Sequence, residues 1–161
     1  MGAILMKINI VAVGSIKEKY LVDACKEYLK RISRFHVINV IEVPEEKLPK
    51  NYSLADVSKC LVKEGTKIEK CLQGHVIALD LKGVEFSSVE LSKHIEKVSN
   101  SFDTITFVIG GSYGISEDVK SKAHFKLCFS KMTFPHQLFR VMLLEQVYRA
   151  CTISNNIIYH K

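Results

Sequence analysis

Five short apolar runs alternate along the chain with segments of helical periodicity. The runs are Lys7–Val13 (KINIVAV), Phe35–Val43 (FHVINVIEV), His75–Leu81 (HVIALDL), Asp103–Ile109 (DTITFVI) and His124–Phe129. They are rich in β-branched residues and apolar nearly throughout, the pattern of strands covered on both faces. Between them, Lys17–Ser33 places Tyr20, Leu21, Ala24, Cys25, Tyr28, Leu29 and Ile32 on one helical face. Ser53 can cap a helix reaching about Leu72, which Gly65 weakens midway. Ser87 with Glu90 three residues later reads as a capping box for a helix carrying Leu91, Ile95 and Val98. A short amphipathic helix is expected over Ser116–Lys122, and Lys82-Gly83 reads as a turn closing the third strand. Pro44 and Pro49 bracket a polar connection that reads as an exposed loop. Strands that alternate with helices in this way predict an α/β fold with a parallel sheet covered on both faces.

The last helix breaks the amphipathic rule. Pro135 opens it, and Leu138, Phe139, Val141, Met142, Leu143, Leu144, Val147 and Tyr148 spread around the axis. Such a helix is buried on all sides, in a core or against a partner. Its polar residues divide between two faces, His136 with Arg140 and Glu145 with Arg149. Glu145 and Arg149 read either as an ordinary i,i+4 pair on a core helix or as functional groups.

In sheets of this kind ligands sit beyond the carboxyl ends of the strands. Three loops fall there: Lys82-Gly83, Gly110–Gly114 (GGSYG) and Ser130–Thr133. The motif Gly110-x-Ser112-x-Gly114 fits a nucleophile elbow, and a triad of Ser112, Asp118 and one of His124, His136 or His160 can be written. Asp118 follows too closely for a serine hydrolase of that fold. The other reading is a glycine loop whose main chain approaches a flat ligand such as adenine.

Composition adds limits. At 161 residues, 47% hydrophobic and 25% charged, with neither repeat nor low-complexity tract, the chain reads as one globular domain. Five cysteines without a C-x-x-C spacing read as reduced thiols of a cytoplasmic protein, and no metal site is expected. The apolar start lacks signal-peptide features and is too short to span a membrane. Met6-Lys7 resembles a second start, so residues 1–5 read as an N-terminal extension to a domain over residues 6–161. The net charge of +6 is uneven: residues 1–119 balance, whereas residues 120–161 carry seven Lys and Arg against Glu145 alone. That surplus suggests a polyanionic partner, with a merely solvated basic face as the alternative.

The segments MKINIVAVG, LDLKG, FVIGGSYG, FSKMTFPHQLFRVMLLEQVYRA and the closing YHK, in this order from Met6 to Lys161, resemble the RlmH-type 23S rRNA pseudouridine N3-methyltransferases of the SPOUT class. The resemblance implies a six-stranded parallel sheet with a C-terminal trefoil knot, S-adenosyl-L-methionine as cofactor and an obligate homodimer acting on the ribosome. It assigns Leu79, Gly110, Phe129, Ser130, Lys131, Met132, Thr133 and Phe134 to the cofactor. It assigns His160, Tyr159, Glu145 and Arg149 to catalysis, and Arg149, Tyr159 and Lys161 to the substrate. One stretch departs from the family: Ser154-Asn155-Asn156-Ile157-Ile158 replaces a basic, glycine-containing segment before Tyr-His-Lys. That departure keeps an inert RNA- or ribosome-binding protein on the same fold as a further reading.

Overall fold

A computed structural model describes residues 4–161. Five strands, β1 (Lys7–Val13), β2 (Val37–Val43), β3 (His75–Glu85), β4 (Thr104–Ile109) and β5 (Phe125–Cys128), form one parallel sheet in the order β2-β1-β4-β3-β5. The resemblance implied six strands; the described residues form five, the same five that the apolar runs mark. Helices α1 (Lys19–Ile32), α2 (Leu54–Glu69), α3 (Ser88–Ser99), α4 (Glu117–Lys122) and α5 (His136–Ser154) lie on both faces.

Strand alternation sorts the core into two layers. Ile8, Ile10 and Ala12 of β1 join Ile77, Phe107 and Leu127 under α1, α3 and α5, whose Ile32, Ile95, Leu143, Leu144 and Val147 close that layer. Val11 and Val13 point the other way, with Val76, Ala78 and Val108, and meet Ile68 of α2 and Val119 of α4. Met6 is 2% exposed while Leu5 is 67% exposed, so the core begins at Met6. Residues 1–3 of the expected extension lie outside the described residues.

Both capping residues read from the sequence are in place. Ser87 accepts from the Glu90 N–H and Glu90 returns a bond to the Ser87 N–H; Ser53 does the same with Asp56. Gly65 is not simply a weak point in α2. It is buried against α4, and a Cβ there would run into Ser116.

Lys82-Gly83 does not end β3. The strand continues to Glu85 through an irregularity between Leu79 and Val84, because β5 pairs with it on both sides of the break. A Cβ at Gly83 would meet the Lys126 carbonyl, so glycine serves the close approach of β5 here rather than a turn. After β5 the chain loops through residues 129–135 and returns as α5 between α1 and α3, a course consistent with the expected trefoil knot.

Candidate active site

All five strands point their carboxyl ends to one edge, and the loops leaving β3, β4 and β5 enclose a cavity of about 380 Å3 there. Leu79, Gly110, Phe129, Ser130, Met132, Thr133 and Phe134, which the resemblance assigns to the cofactor, line it, while the Lys131 side chain is exposed. Asp80 and Leu81 from β3 and His136 and Phe139 from α5 also line it, and sequence reading passed over them. They sit on regular elements rather than in loops. The carboxyl end of β3 and the first turn after Pro135 were the signals available.

The cavity suits a flat heteroaromatic group beside a polar tail. Its floor is apolar, made by Leu79, Ile109, Leu127, Phe129 and Phe139. Phe139 packs on Phe129 at 4.8 Å and on Phe134 at 6.3 Å between ring centroids, which fixes the loop's ends. Along the loop, the N–H groups of Ser130, Lys131, Thr133 and Phe134 have no backbone acceptor, and that of Met132 is held by Ser130 Oγ at 3.1 Å. Free main-chain groups are what recognition of an adenine edge requires. Opposite them, a Cβ at Gly110 would overlap the Gly114 carbonyl, and Gly114 holds a left-handed φ of 86° as the turn 111–114 closes. The cofactor residues carried by the resemblance therefore fit the group, Lys131 through its main chain.

The mouth is braced from the other side by Arg140. Its side chain is 5% exposed, donating from Nη1 to Glu42 at 2.7 Å and from Nη2 to the Gly14 carbonyl at 3.0 Å. One buried guanidinium thus ties the first turns of α5 to the ends of β1 and β2.

The tail residues form a second cluster around Glu145. Arg149 donates to Glu145 from Nη2 at 2.6 Å and from Nε at 3.1 Å, and the Tyr159 hydroxyl donates to the same Oε1 at 3.1 Å. Gln146 Nε2 takes the other carboxylate oxygen at 2.9 Å, and is itself held by Ser88 of α3 at 2.7 Å. Arg149 stacks over the Tyr159 ring at 4.7 Å and meets His160 Nδ1 at 3.2 Å. The Glu145 carboxylate holds the Arg149 guanidinium above its ordinary range. Burial first, and then the bond to Glu145, push the Tyr159 phenol up. Glu145, Arg149, Tyr159 and His160 are thus brought together; Lys161 is exposed at the end.

The altered stretch before the tail keeps a turn. Asn156 adopts φ 55°, a left-handed conformation that asparagine tolerates better than other residues with a side chain. The turn is thus made without glycine, and Ser154–Ile158 carries no basic residue.

The cluster does not line the cofactor cavity. A second cavity of about 420 Å3 shares Leu127 and Phe129 with the first and reaches Glu145 and Gln146. From Phe139 to Arg149 the helix rises about 15 Å, at 1.5 Å per residue. On this helix Leu138 is 40% exposed, and Val141, Met142 and Tyr148 are half-buried, so α5 is not enclosed on all sides by its own chain.

The alternative nucleophile-elbow reading is not met. Ser112 donates to Glu45 at 3.3 Å, His124 accepts from the Val76 N–H at 3.0 Å, and His160 meets Arg149; no Ser112–His–Asp triad forms among the described residues. The basic surplus of residues 120–161 is partly paired within the fold. Lys120, Lys122, Arg140 and Arg149 pair with Asp80, Glu69, Glu42 and Glu145, three of these acids coming from earlier in the chain, while Lys126, Lys131 and Lys161 are exposed and make no ion pair among the described residues. Among the described residues no cluster suits a metal ion, and no helix is long and apolar enough to cross a membrane.

Comparison with known proteins agrees with this geometry. A family model described as "Predicted SPOUT methyltransferase" matches residues 6–160. A ribosomal RNA large subunit methyltransferase H of Clostridium perfringens is 53% identical over 161 residues, covering 97% of this chain and all of that protein. Among solved structures, a tRNA methyltransferase of Aquifex aeolicus superposes with a TM-score of 0.51 at 10% identity, covering 90% of this chain and 69% of that one. A putative methyltransferase of Legionella pneumophila, solved with SAM bound, gives 0.50 at 9% identity, covering 88% and 65%. With its cavity at the carboxyl edge, its glycine turn and a match from Met6 to His160, the chain belongs to the SPOUT methyltransferase family.

Proposed function

We propose that the protein transfers a methyl group from S-adenosyl-L-methionine to N3 of a pseudouridine in 23S rRNA, working in the cytoplasm as a homodimer on assembled ribosomes. The observation that carries the reading is the cavity at the carboxyl ends of β3, β4 and β5, in a chain 53% identical to a ribosomal RNA large subunit methyltransferase H. The cofactor supplies an electrophilic methyl group; the protein positions the two reactants and removes the N3 proton. Leu79, Gly110 and Phe129 to Phe134 hold the cofactor, Lys131 through its main chain. His160 acts as base or hydrogen-bonding orienter for N3, and Tyr159 stacks on the splayed-out base. Arg149 and Lys161 meet phosphates or base carbonyls, and Glu145 orients Arg149 or takes the proton.

The dimer is supported by the separation of the two clusters. The tail is held about 15 Å along α5 from the cavity, a separation that a second copy would bridge. If two copies meet through the half-buried stripe of α5 about a two-fold axis perpendicular to the helix, the beginning of one helix faces the end of the other. Each tail then lies beside the cavity of the other copy.

Radiolabelled cofactor and ribosomes lacking the modification provide the test. Label should enter the large-subunit RNA and fall away when His160→Ala replaces the wild type. Cofactor binding without any transfer would instead favour the inert ribosome-binding protein. A naked RNA hairpin methylated as well as ribosomes would remove the requirement for an assembled surface.

A further inference from the structure

One side chain of the glycine turn is aimed away from the cavity that the turn closes. Gly110, Gly111, Ser112 and Gly114 line the cavity, whereas Tyr113 does not and is 47% exposed. Its hydroxyl meets that of Tyr52, itself 51% exposed, at 2.7 Å, with ring centroids 6.1 Å apart at 73°. Tyr52 comes from the connection between β2 and α2, so two loops leaving different strands set two phenol rings side by side in solvent at the rim.

The placement is rigid on both sides. The turn is closed by the Gly114 N–H on the Gly111 carbonyl at 3.1 Å and tied by Ser112 to Glu45 at 3.3 Å. Rings so exposed contribute little to the core, and the edge-on arrangement leaves a ring face open. The charges nearby are sorted as well. Glu45 is bonded to Ser112 and Glu46 is paired with Lys67 at 2.6 Å, while Lys47 and Lys50, on the same connection as Tyr52, make no ion pair among the described residues. Open aromatic faces beside uncommitted lysines fit an unstacked base and its flanking phosphates.

We infer that Tyr113 and Tyr52 form a stacking platform for an unpaired RNA base next to the methylated nucleotide, with Lys47 and Lys50 on the neighbouring phosphates. The inference rests on the rRNA methyltransferase reading and adds the surface by which the RNA is held.

Stacking uses the ring and not the hydroxyl, so phenylalanine and alanine variants separate the platform from a structural strut. Methylation of unmodified ribosomes is measured for wild type, Tyr113→Phe, Tyr113→Ala, Tyr52→Phe and Tyr52→Ala, with cofactor affinity followed by calorimetry. The alanine variants should raise KM for ribosomes about 5- to 150-fold and leave cofactor affinity unchanged. The phenylalanine variants should stay close to wild type. Lys47→Ala and Lys50→Ala should each flatten the dependence of log affinity on log salt by about 0.7–0.9. Alanine variants with wild-type KM overturn the inference. So does a joint loss of cofactor affinity in Phe and Ala variants, which marks the pair as a brace for the glycine turn. A wild type that transfers no methyl group to any ribosome overturns the parent reading, and the platform with it.

Discussion

Acidification should loosen this protein from the edge of the sheet opposite the cavity. His75 opens β3 and is 9% exposed, its ring stacked on His124 at 4.9 Å and packed against His94 at 5.4 Å and Phe102 at 5.3 Å. His94 in turn touches Phe86 and Phe125, and after burial the charge of Lys97 also lowers its pKa. Burial first, then His124 and His94, lower the His75 pKa from 6.5 to about 4. A lowered folded-state value means that the unfolded chain takes the proton first, so stability present above about pH 6.5 is lost as pH falls toward 4. At 1.36 kcal/mol per unit, this one group costs about 2 kcal/mol between pH 7 and pH 5, and about 3 kcal/mol by pH 4. His94 and His36, both also lowered by burial, add in the same direction, while Glu64, raised by burial, opposes them. The carboxylates held low by their partners, such as Asp56 and Glu90, act at lower pH and leave this window clear. Urea unfolding at pH 7, 6 and 5, for wild type and His75→Phe, isolates the contribution. The variant keeps an aromatic ring in the cluster and removes the titration, so its stability should fall by about 2 kcal/mol less over the window. Equal slopes for the two proteins would refute the account.

Three further outcomes follow from packing. Gly65→Ala should destabilise by about 1–3 kcal/mol, despite alanine's better helix propensity, because the new Cβ lies 3.2 Å from Ser116 Cβ and 3.4 Å from Val119 Cγ2; thermal melts decide it. Arg140→Ala should cost about 2–4 kcal/mol and weaken cofactor binding, since it leaves Glu42 and the Gly14 carbonyl without their partner; denaturant midpoints and calorimetry read the two effects. Removing residues 1–5 should leave the melting temperature and methyl transfer near wild type, as Leu5 is exposed and the buried core starts at Met6.

The sheet was legible because its strands are apolar on both faces and its helices carry capping signals such as Ser87 and Glu90. What local pattern could not express was chain-to-chain approach. Lys82-Gly83 has the chemistry of a turn, but the backbone of β5 needs that glycine beside it, and the strand runs on. The partial pairing of the charge surplus in the last quarter has a related reason. Arg140 and Lys122 find their acids 98 and 53 positions earlier, which no window along the sequence reveals. At the site, the glycine and loop residues were readable from their place after strands, whereas Asp80, His136 and Phe139 belong to elements whose register only the fold fixes. The tail had no periodicity to read, and its cluster around Glu145 depends on Asn156 turning the chain.

The strand order also dictates when the protein can become itself. β1 lies beside β4, with Ile8 opposite Ile105, and its apolar side is closed by Leu143 and Leu144 of α5. A growing chain therefore makes β1 about one hundred residues before the neighbour that completes it, and longer still before the cover that α5 supplies. At ordinary synthesis rates of about 5–20 residues per second, that interval is roughly 5–20 s. Through it, KINIVAV and VINVIEV pair with each other and are covered by α1 and α2, without β4 beside β1 or α5 over it. Pairing of such distant segments also slows folding itself. The vulnerable species is the unfinished polypeptide, and a truncation after Phe139, which spares every residue of the cavity but removes the rest of α5, should aggregate rather than fold.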